Sequence, residues 1–316
     1  MRAGRIILGC AAAGAALAGA EAVKLFRAGL VRQERLGDGL TKRVNHGRMM
    51  PYKDMILAER DWYRAQKKEQ ICLTSYDGLR LAAELLPAET PCGRTIILFH
   101  GYRSDAEMDF SCIFRYYHEL GLNILAVSQR SHGQSEGKYI CFGVRERFDC
   151  VQWAEYAAER FGPEEDIFLG GVSMGASTVL MASGLGLPEN VRGIIADCGF
   201  SSPEEEFRYI LGRAHIPVHP VMDVLDIVSG KIAGFRFGEC SAVDAVKKSR
   251  VPILFVHGQE DDFVPPYMSD MAYEACASEK KIVRVDHAGH GMSYLAETER
   301  CREALRDFIE SHCRQK

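Results

Sequence analysis

A surplus of positive charge is missing from this chain: 39 Lys and Arg face 43 Asp and Glu, a formal charge of −4 over 316 residues. That removes the basic face a nucleic-acid partner requires. Internal repeats and low-complexity tracts are also absent, which excludes repeat arrays. The eleven cysteines run from Cys10 to Cys313 with no Cys-x-x-Cys pair and no Cys/His metal spacing. An odd number at irregular spacing makes no disulfide framework, so they read as buried thiols in a chain that meets little oxidant. No apolar run reaches the roughly 20 residues of a bilayer span.

The nearest approach is "IILGCAAAGAALAGA", Ile6 to Ala20, an uncharged 15-residue stretch behind Arg2 and Arg5. It fits a signal peptide with an Ala18-Gly19-Ala20 cleavage site. Extended through Phe26, with Glu21 and Lys24 snorkelling, it fits a membrane anchor equally well. Charge does not orient it, since Lys24, Arg27, Arg32 and Arg35 follow on the other side, while the cysteines favour a cytosolic face. A third reading, an Ala-rich helix packed on the domain, is set aside because so much Ala and Gly makes a weak buried face. Residues 1–30 are thus expected to be a signal or anchor, with exported or membrane-associated protein as the consequence, and residues 31–69 a charged, helix-compatible connector carrying Met55, Ile56, Trp62 and Tyr63 as a candidate packing stripe. Removing residues 1–30 is expected to leave an active enzyme.

A hydrophobic content of 47% over this length suffices for one large α/β domain with an insertion. "ICLTSYDGLRLAAELLP" holds two short apolar runs around Tyr76-Asp77-Gly78, a hairpin forming an antiparallel edge. From there strands and helices alternate to the C-terminus, which implies a mostly parallel sheet covered on both faces, over residues 70–316. The rhythm breaks from about 198 to 250, far beyond the usual two to six residues of a connecting loop. Val221, Val224, Leu225 and Val228 follow helical spacing there. This insertion is expected to form a helical cap whose Val221, Leu225 and Val228, with Phe200, line an apolar pocket.

The chemistry starts at "LGGVSMGAST", residues 169–178. A short apolar strand ends at Val172 and a helix of small and apolar residues begins at Met174. Strand, tight turn and helix form the setting of a nucleophile elbow, with Ser173 exposed at the turn and Gly171 and Gly175 relieving its crowding. A serine needs a base. Working residues of open parallel sheets sit at the carboxyl ends of strands, and three such ends carry the missing groups. "LFHGYRSD" can bring the Tyr102 N–H beside that of Met174 as an oxyanion hole, while His100 reads as a loop anchor. "FVHGQEDDFVPP" offers Glu260, Asp261 and Asp262, and "VDHAGHGMSY" offers His287 and His290. Serine, acid, histidine is the chain order of α/β-hydrolases. Asp197 is a second candidate acid, and a cysteine enzyme using Cys141 or Cys198 lacks an elbow.

The strings HGY, "QRSHGQSEGK", "GVSMG", "ADCGFSSP", "HGQEDDFVP" and "AGHGMSY", in this order, resemble the bacterial α/β-hydrolases of the serine aminopeptidase-like group, in particular their N-terminally anchored members. The resemblance runs from about Ile71 to the C-terminus. It implies an α/β-hydrolase fold, assigns the acid to Asp261 and the base to His290, and leaves Asp262 and His287 outside the pattern. Ser128 stands where the family has Asp ahead of Arg130, in a run read as structural. The expected activity is hydrolysis of a carboxylic ester with a hydrophobic acyl part, a small-molecule substrate, without metal or cofactor. Thioesterase, lipase or peptidase are the alternatives on the same fold, and a non-catalytic binding protein is the rival class.

Overall fold

The computed structural model describes residues 17–33, 39–44 and 47–314. Eight strands form one sheet, β1 (Glu69–Thr74), β2 (Arg80–Leu86), β3 (Arg94–Phe99), β4 (Asn123–Ser128), β5 (Asp166–Val172), β6 (Val191–Asp197), β7 (Ile253–Gly258) and β8 (Lys280–Val285), in the order β1-β2-β4-β3-β5-β6-β7-β8. The β1–β2 and β2–β4 pairs are antiparallel and all others parallel. The hairpin expected around Gly78 is the β1–β2 edge. Because side chains alternate across a strand, Ile97 and Phe99 of β3 enter one core and Ile96 and Leu98 the other.

Helices cover both faces, which is why the central strands read as continuous apolar runs. In chain order they are α1 (residues 17–30), α2 (Lys53–Ala65), α3 (Ala106–Glu119), α4 (Glu146–Phe161), α5 (Met174–Ala182), α6 (Pro203–Arg213), α7 (Val218–Ile232), α8 (Tyr267–Ala275) and α9 (Thr298–His312). Helices α2, α3 and α9 lie on one face, and α1, α4, α5, α7 and α8 contribute to the core of the other. Every residue of α5 is buried, as the helix directly after the elbow must be.

Two stretches fold differently from the sequence reading. In α2 the buried phase is Ile56, Arg60 and Tyr63, while Met55 is exposed. Tyr63 stacks on Phe114 of α3 with ring centroids 3.9 Å apart, so this part of the connector belongs to the domain core. The larger departure is α1. Its last turn, Phe26–Leu30, is π-wound, and Ala18, Ala22, Phe26 and Leu30, four residues apart, are buried in the core. The alanines that argued for a weak buried face instead let the helix approach closely, and Phe26 and Leu30 supply the apolar area. Lys24 and Arg27 point outward. The chain then pairs with the domain through Arg32 N–H to Lys138 O and Ile140 N–H to Leu30 O, both 2.8 Å. Cleavage after Ala20 would cut this docked helix. Among the described residues no helix is long and apolar enough to cross a membrane. Residues 1–16, which hold most of the expected signal or anchor, lie outside the described residues.

The docking of α1 is tested by Phe26→Ala. Truncating this buried aromatic should cost about 3–5 kcal/mol and lower Tm by several degrees, measured by circular dichroism, whereas Lys24→Ala should leave Tm unchanged. Equal melting of all three proteins would mean that α1 does not dock.

Candidate active site

The site is built on the ends of β3, β5 and β7 and on the loop after β8. Ser173 lies between β5 and α5 with φ of 56°, a left-handed conformation uncommon outside glycine. Its flanks permit it: a Cβ at Gly171 would stand 2.3 Å from Gly175 O, and one at Gly175 1.8 Å from Phe99 O. No residue larger than glycine fits at either position. Behind the serine, Gly101 brings the β3 loop against Ser173 Cβ, and its N–H is held by Asp109 at 2.6 Å. The following Tyr102 and the helix-starting Met174 line the same cavity as Ser173. The Met174 N–H belongs to the first turn of α5, where no intrahelical acceptor exists.

His290 completes a relay. Its Nε2 lies 2.9 Å from Ser173 Oγ and its Nδ1 2.7 Å from Asp261 Oδ2. With the Nδ1 proton directed at the carboxylate, Nε2 is left to accept the serine proton. Asp261 is buried, and its Oδ1 accepts the N–H groups of Phe263 and Val264, each at 2.9 Å. Burial alone would raise its pKa, but hydrogen bonds from His257 and His290 hold the carboxyl well below the usual carboxylate range. It therefore stays ionised. Phe263 covers the imidazole of His290 with centroids 4.9 Å apart.

The other candidates are placed elsewhere. Asp197 is buried at the end of β6, accepts the Ser293 hydroxyl at 2.9 Å, and has its pKa pushed up to about 6 by burial, against the pull of that bond. Its bond goes to Ser293, not to a histidine. His287 is exposed and paired with Glu260 at 3.0 Å, Asp262 is exposed beside Arg213, and His100 is buried in hydrogen bonds to Gly101 and Gln129. Burial pushes the Cys141 and Cys198 thiols far up, which denies both the thiolate a cysteine nucleophile needs. Arg130 forks onto Asp149 at 2.6 and 2.7 Å and onto Asp77, so the "QRSHGQSEGK" run is scaffold in this structure.

A cavity of about 270 Å³ opens on Ser173. Phe200 lines it, as expected for the insertion, but Val221, Leu225 and Val228 do not. Val221 and Leu225 are buried inside the cap, and Val228 faces a separate groove against Phe26 and Tyr139. The phase of α7 turns its stripe to the core. The walls come instead from Phe207 and Ile210 of α6, Phe142, Phe263, and Leu25, Ala28 and Gly29 of α1. The α1 wall is tied to the loop after β3, since the Tyr102 hydroxyl donates to Gly29 O at 2.8 Å and Arg103 donates to Ala28 O. The four-residue spacing of Ala18, Ala22, Phe26 and Leu30 was the available signal for it. Besides Ser173 and Tyr102 the lining holds one more polar side chain, Glu206, at 2% exposure, and neither of its carboxyl oxygens has a hydrogen-bond partner. Burial, with Asp261 and Glu205 nearby, pushes it up to about 8.

A parallel sheet with a serine at a strained turn after its central strand, and acid and histidine on the following strand ends, defines an α/β-hydrolase fold. A model of the alpha/beta hydrolase family matches residues 96–304, and the chain belongs to that family. It is 29% identical over 229 residues to the uncharacterized protein YqkD of Bacillus subtilis, covering 71% of this chain and 73% of that one. It is similar to protein bem46 of Schizosaccharomyces pombe, 24% identical over 67% of each chain. Among solved structures it resembles an esterase of Pyrococcus furiosus, with a TM-score of 0.65 and 18% identity over 90% of this chain and 99% of that one.

The state of Glu206 sets a pH dependence of stability. Its pKa is raised from 4.5 to about 8 on folding, so between these values the native state holds a proton that the unfolded chain has lost. Stability must fall as pH rises through that window. Glu206→Gln lacks this loss. The variant should match wild type near pH 4.5 and exceed it by a few kcal/mol at pH 8, read from urea unfolding at a series of pH values. A difference independent of pH would show that the carboxyl is ionised in the native state.

Proposed function

We propose that the protein is a serine hydrolase that cleaves carboxylic esters with a hydrophobic acyl part of medium length. The observation that carries the reading is the 2.9 Å contact of Ser173 Oγ with His290 Nε2 at the mouth of a cavity whose walls are almost wholly apolar. Its volume, at the small end of ligand pockets, favours a medium chain over a long lipid. The resemblance to the Pyrococcus furiosus esterase is in keeping with an ester substrate.

In this mechanism Ser173 Oγ attacks the acyl carbon while its proton passes to His290 Nε2. The carbonyl oxygen becomes an oxyanion that accepts the N–H groups of Tyr102 and Met174. Collapse breaks the bond to the leaving oxygen, which takes the proton from His290, and the alcohol departs from an acyl-serine. A water then repeats the sequence, giving its proton to His290, and the acid leaves with the Ser173 hydroxyl restored. Throughout, the Asp261 carboxylate fixes the tautomer of His290 and stabilises its cationic form.

A fluorophosphonate probe should label the wild type, and Ser173→Ala should abolish both labelling and ester turnover. His290→Ala should be nearly as severe because nucleophile and base act as a unit. Asp261→Asn should cost on the order of 10³–10⁴ in kcat, and Asp197→Asn far less. Labelling that survives Ser173→Ala, or a larger loss from Asp197→Asn, would sink the mechanism.

With p-nitrophenyl esters, kcat/KM should rise about fourfold per methylene, the equivalent of roughly 0.8 kcal/mol of burial. Removing residues 1–30 takes away one wall and should flatten that rise while leaving the enzyme active on short esters. Leu225→Asn, inside the cap, should instead lower Tm and leave the slope as it is. A deletion variant with the wild-type slope would exclude α1 from the pocket.

A further inference from the structure

Glu206 is the one feature of the cavity that the ester-hydrolase reading leaves unused. Two facts about it are independent. It lines the cavity that opens on Ser173, and both of its oxygens are buried without a hydrogen-bond partner. Burying an unpaired carboxyl is costly, so the group is either a burden on the fold or a site waiting for a ligand atom.

The charged neighbours are all committed. On the same helix, Glu204 pairs with Arg208 and Glu205 accepts the hydroxyl of Tyr267 at 3.0 Å. Across the cavity, Asp261 is taken by His290, and Arg213 lies beside Asp262. No cation acts on Glu206 among the described residues, while Asp261 and Glu205 oppose its ionisation. It is held as a neutral acid at pH 7, which can donate one hydrogen bond and accept another.

We propose that Glu206 is a specificity-determining residue that receives a hydroxyl group carried on the otherwise apolar acyl chain of the substrate. A hydroxyl offers one donor and accepts in return, so a neutral carboxyl satisfies it in a reciprocal pair. An ammonium group fits poorly: it would ionise Glu206 and bring three N–H donors, and apart from the hydroxyls of Ser173 and Tyr102 the other lining side chains are apolar. The inference rests on the ester-hydrolase reading and names its substrate as a hydroxyacyl ester.

The test compares p-nitrophenyl octanoate with its analogues hydroxylated at C3, C6, C7 or C8, and with p-nitrophenyl 8-aminooctanoate. Each ratio of kcat/KM is taken at one pH, so the titration of the relay cancels. Wild type should favour one of the hydroxylated esters by about tenfold at pH 7, and the preference should rise above pH 8, where the ionised carboxyl accepts the substrate hydroxyl in a stronger, charge-assisted bond and is left unpaired by the plain chain. Glu206→Met should bring that ratio to one or below. Glu206→Gln, which keeps a donor and an acceptor but cannot ionise, should retain the preference without its alkaline rise. Melting temperature and fluorophosphonate labelling report whether each variant is folded, and if Glu206→Met is not, the pH profiles of wild type and Glu206→Gln decide. The proposal is overturned by a wild type indifferent to every hydroxyl position, by a Glu206→Met that keeps the preference, by a pH-independent wild-type ratio, or by an amino ester favoured over the hydroxylated ones. A wild type that turns over no ester and resists the probe overturns the ester-hydrolase reading itself, and this inference with it.

Discussion

The backbone at Ser173 is the constraint around which the rest is arranged. A side chain held at φ of 56° is costly unless its surroundings determine it several times over. Here Ser173 N–H is fixed to Asp197 O at 2.8 Å, α5 is buried along its whole length, and Gly171 and Gly175 leave no slack between β5, β3 and the first turn of α5. The turn therefore cannot relax without lifting α5 from the core. Core packing thus holds the serine out toward the cavity, with the first N–H of α5 beside it.

Two buried carboxyls, a cavity apart, show how environment divides one functional group into two roles. Asp261 has two backbone N–H donors and two histidines around it, enough to keep a charge inside the protein. Glu206 has apolar walls and two acidic neighbours, which keep a proton on it. The first also conditions the second, since the charge on Asp261 is one reason Glu206 remains neutral. Separating acid from carboxylate by surroundings alone is how sites run proton chemistry near neutral pH.

Much of this site was legible in the sequence because its parts sit where local rules are strong. The apolar run before Ser173, the glycines two residues to either side, and the acid and histidine after later strands follow from strand-end geometry and turn sterics, which act over a few residues. The cap was harder. A helical stripe at Val221, Val224, Leu225 and Val228 tells which face is apolar but not whether that face meets the core or the pocket, and here it meets the core. Glu206 and Phe207 lay one helix earlier, in a stretch beginning with three glutamates that reads as a solvated first turn. Only the tertiary position of α6 distinguishes the buried Glu206 from the half-buried Glu204, Glu205 and Arg208 around it.

The N-terminal helix exposes the same ambiguity in a different form. Alanine and glycine in quantity, flanked by arginines, satisfy the pattern of a leader and equally the needs of a helix that must lie close to a surface. What separates the two is phase. A membrane segment is apolar around its circumference, whereas Glu21, Lys24 and Arg27 fall off the Ala18, Ala22, Phe26 and Leu30 row and leave a one-sided helix. Once docked, that row carries Leu25, Ala28 and Gly29 to the cavity, and the hydroxyl of Tyr102 ties the helix to the loop after β3. A single segment thus walls the cavity and holds the loop after β3, so the shape of the cavity and the position of that loop beside Ser173 are coupled through one hydrogen bond.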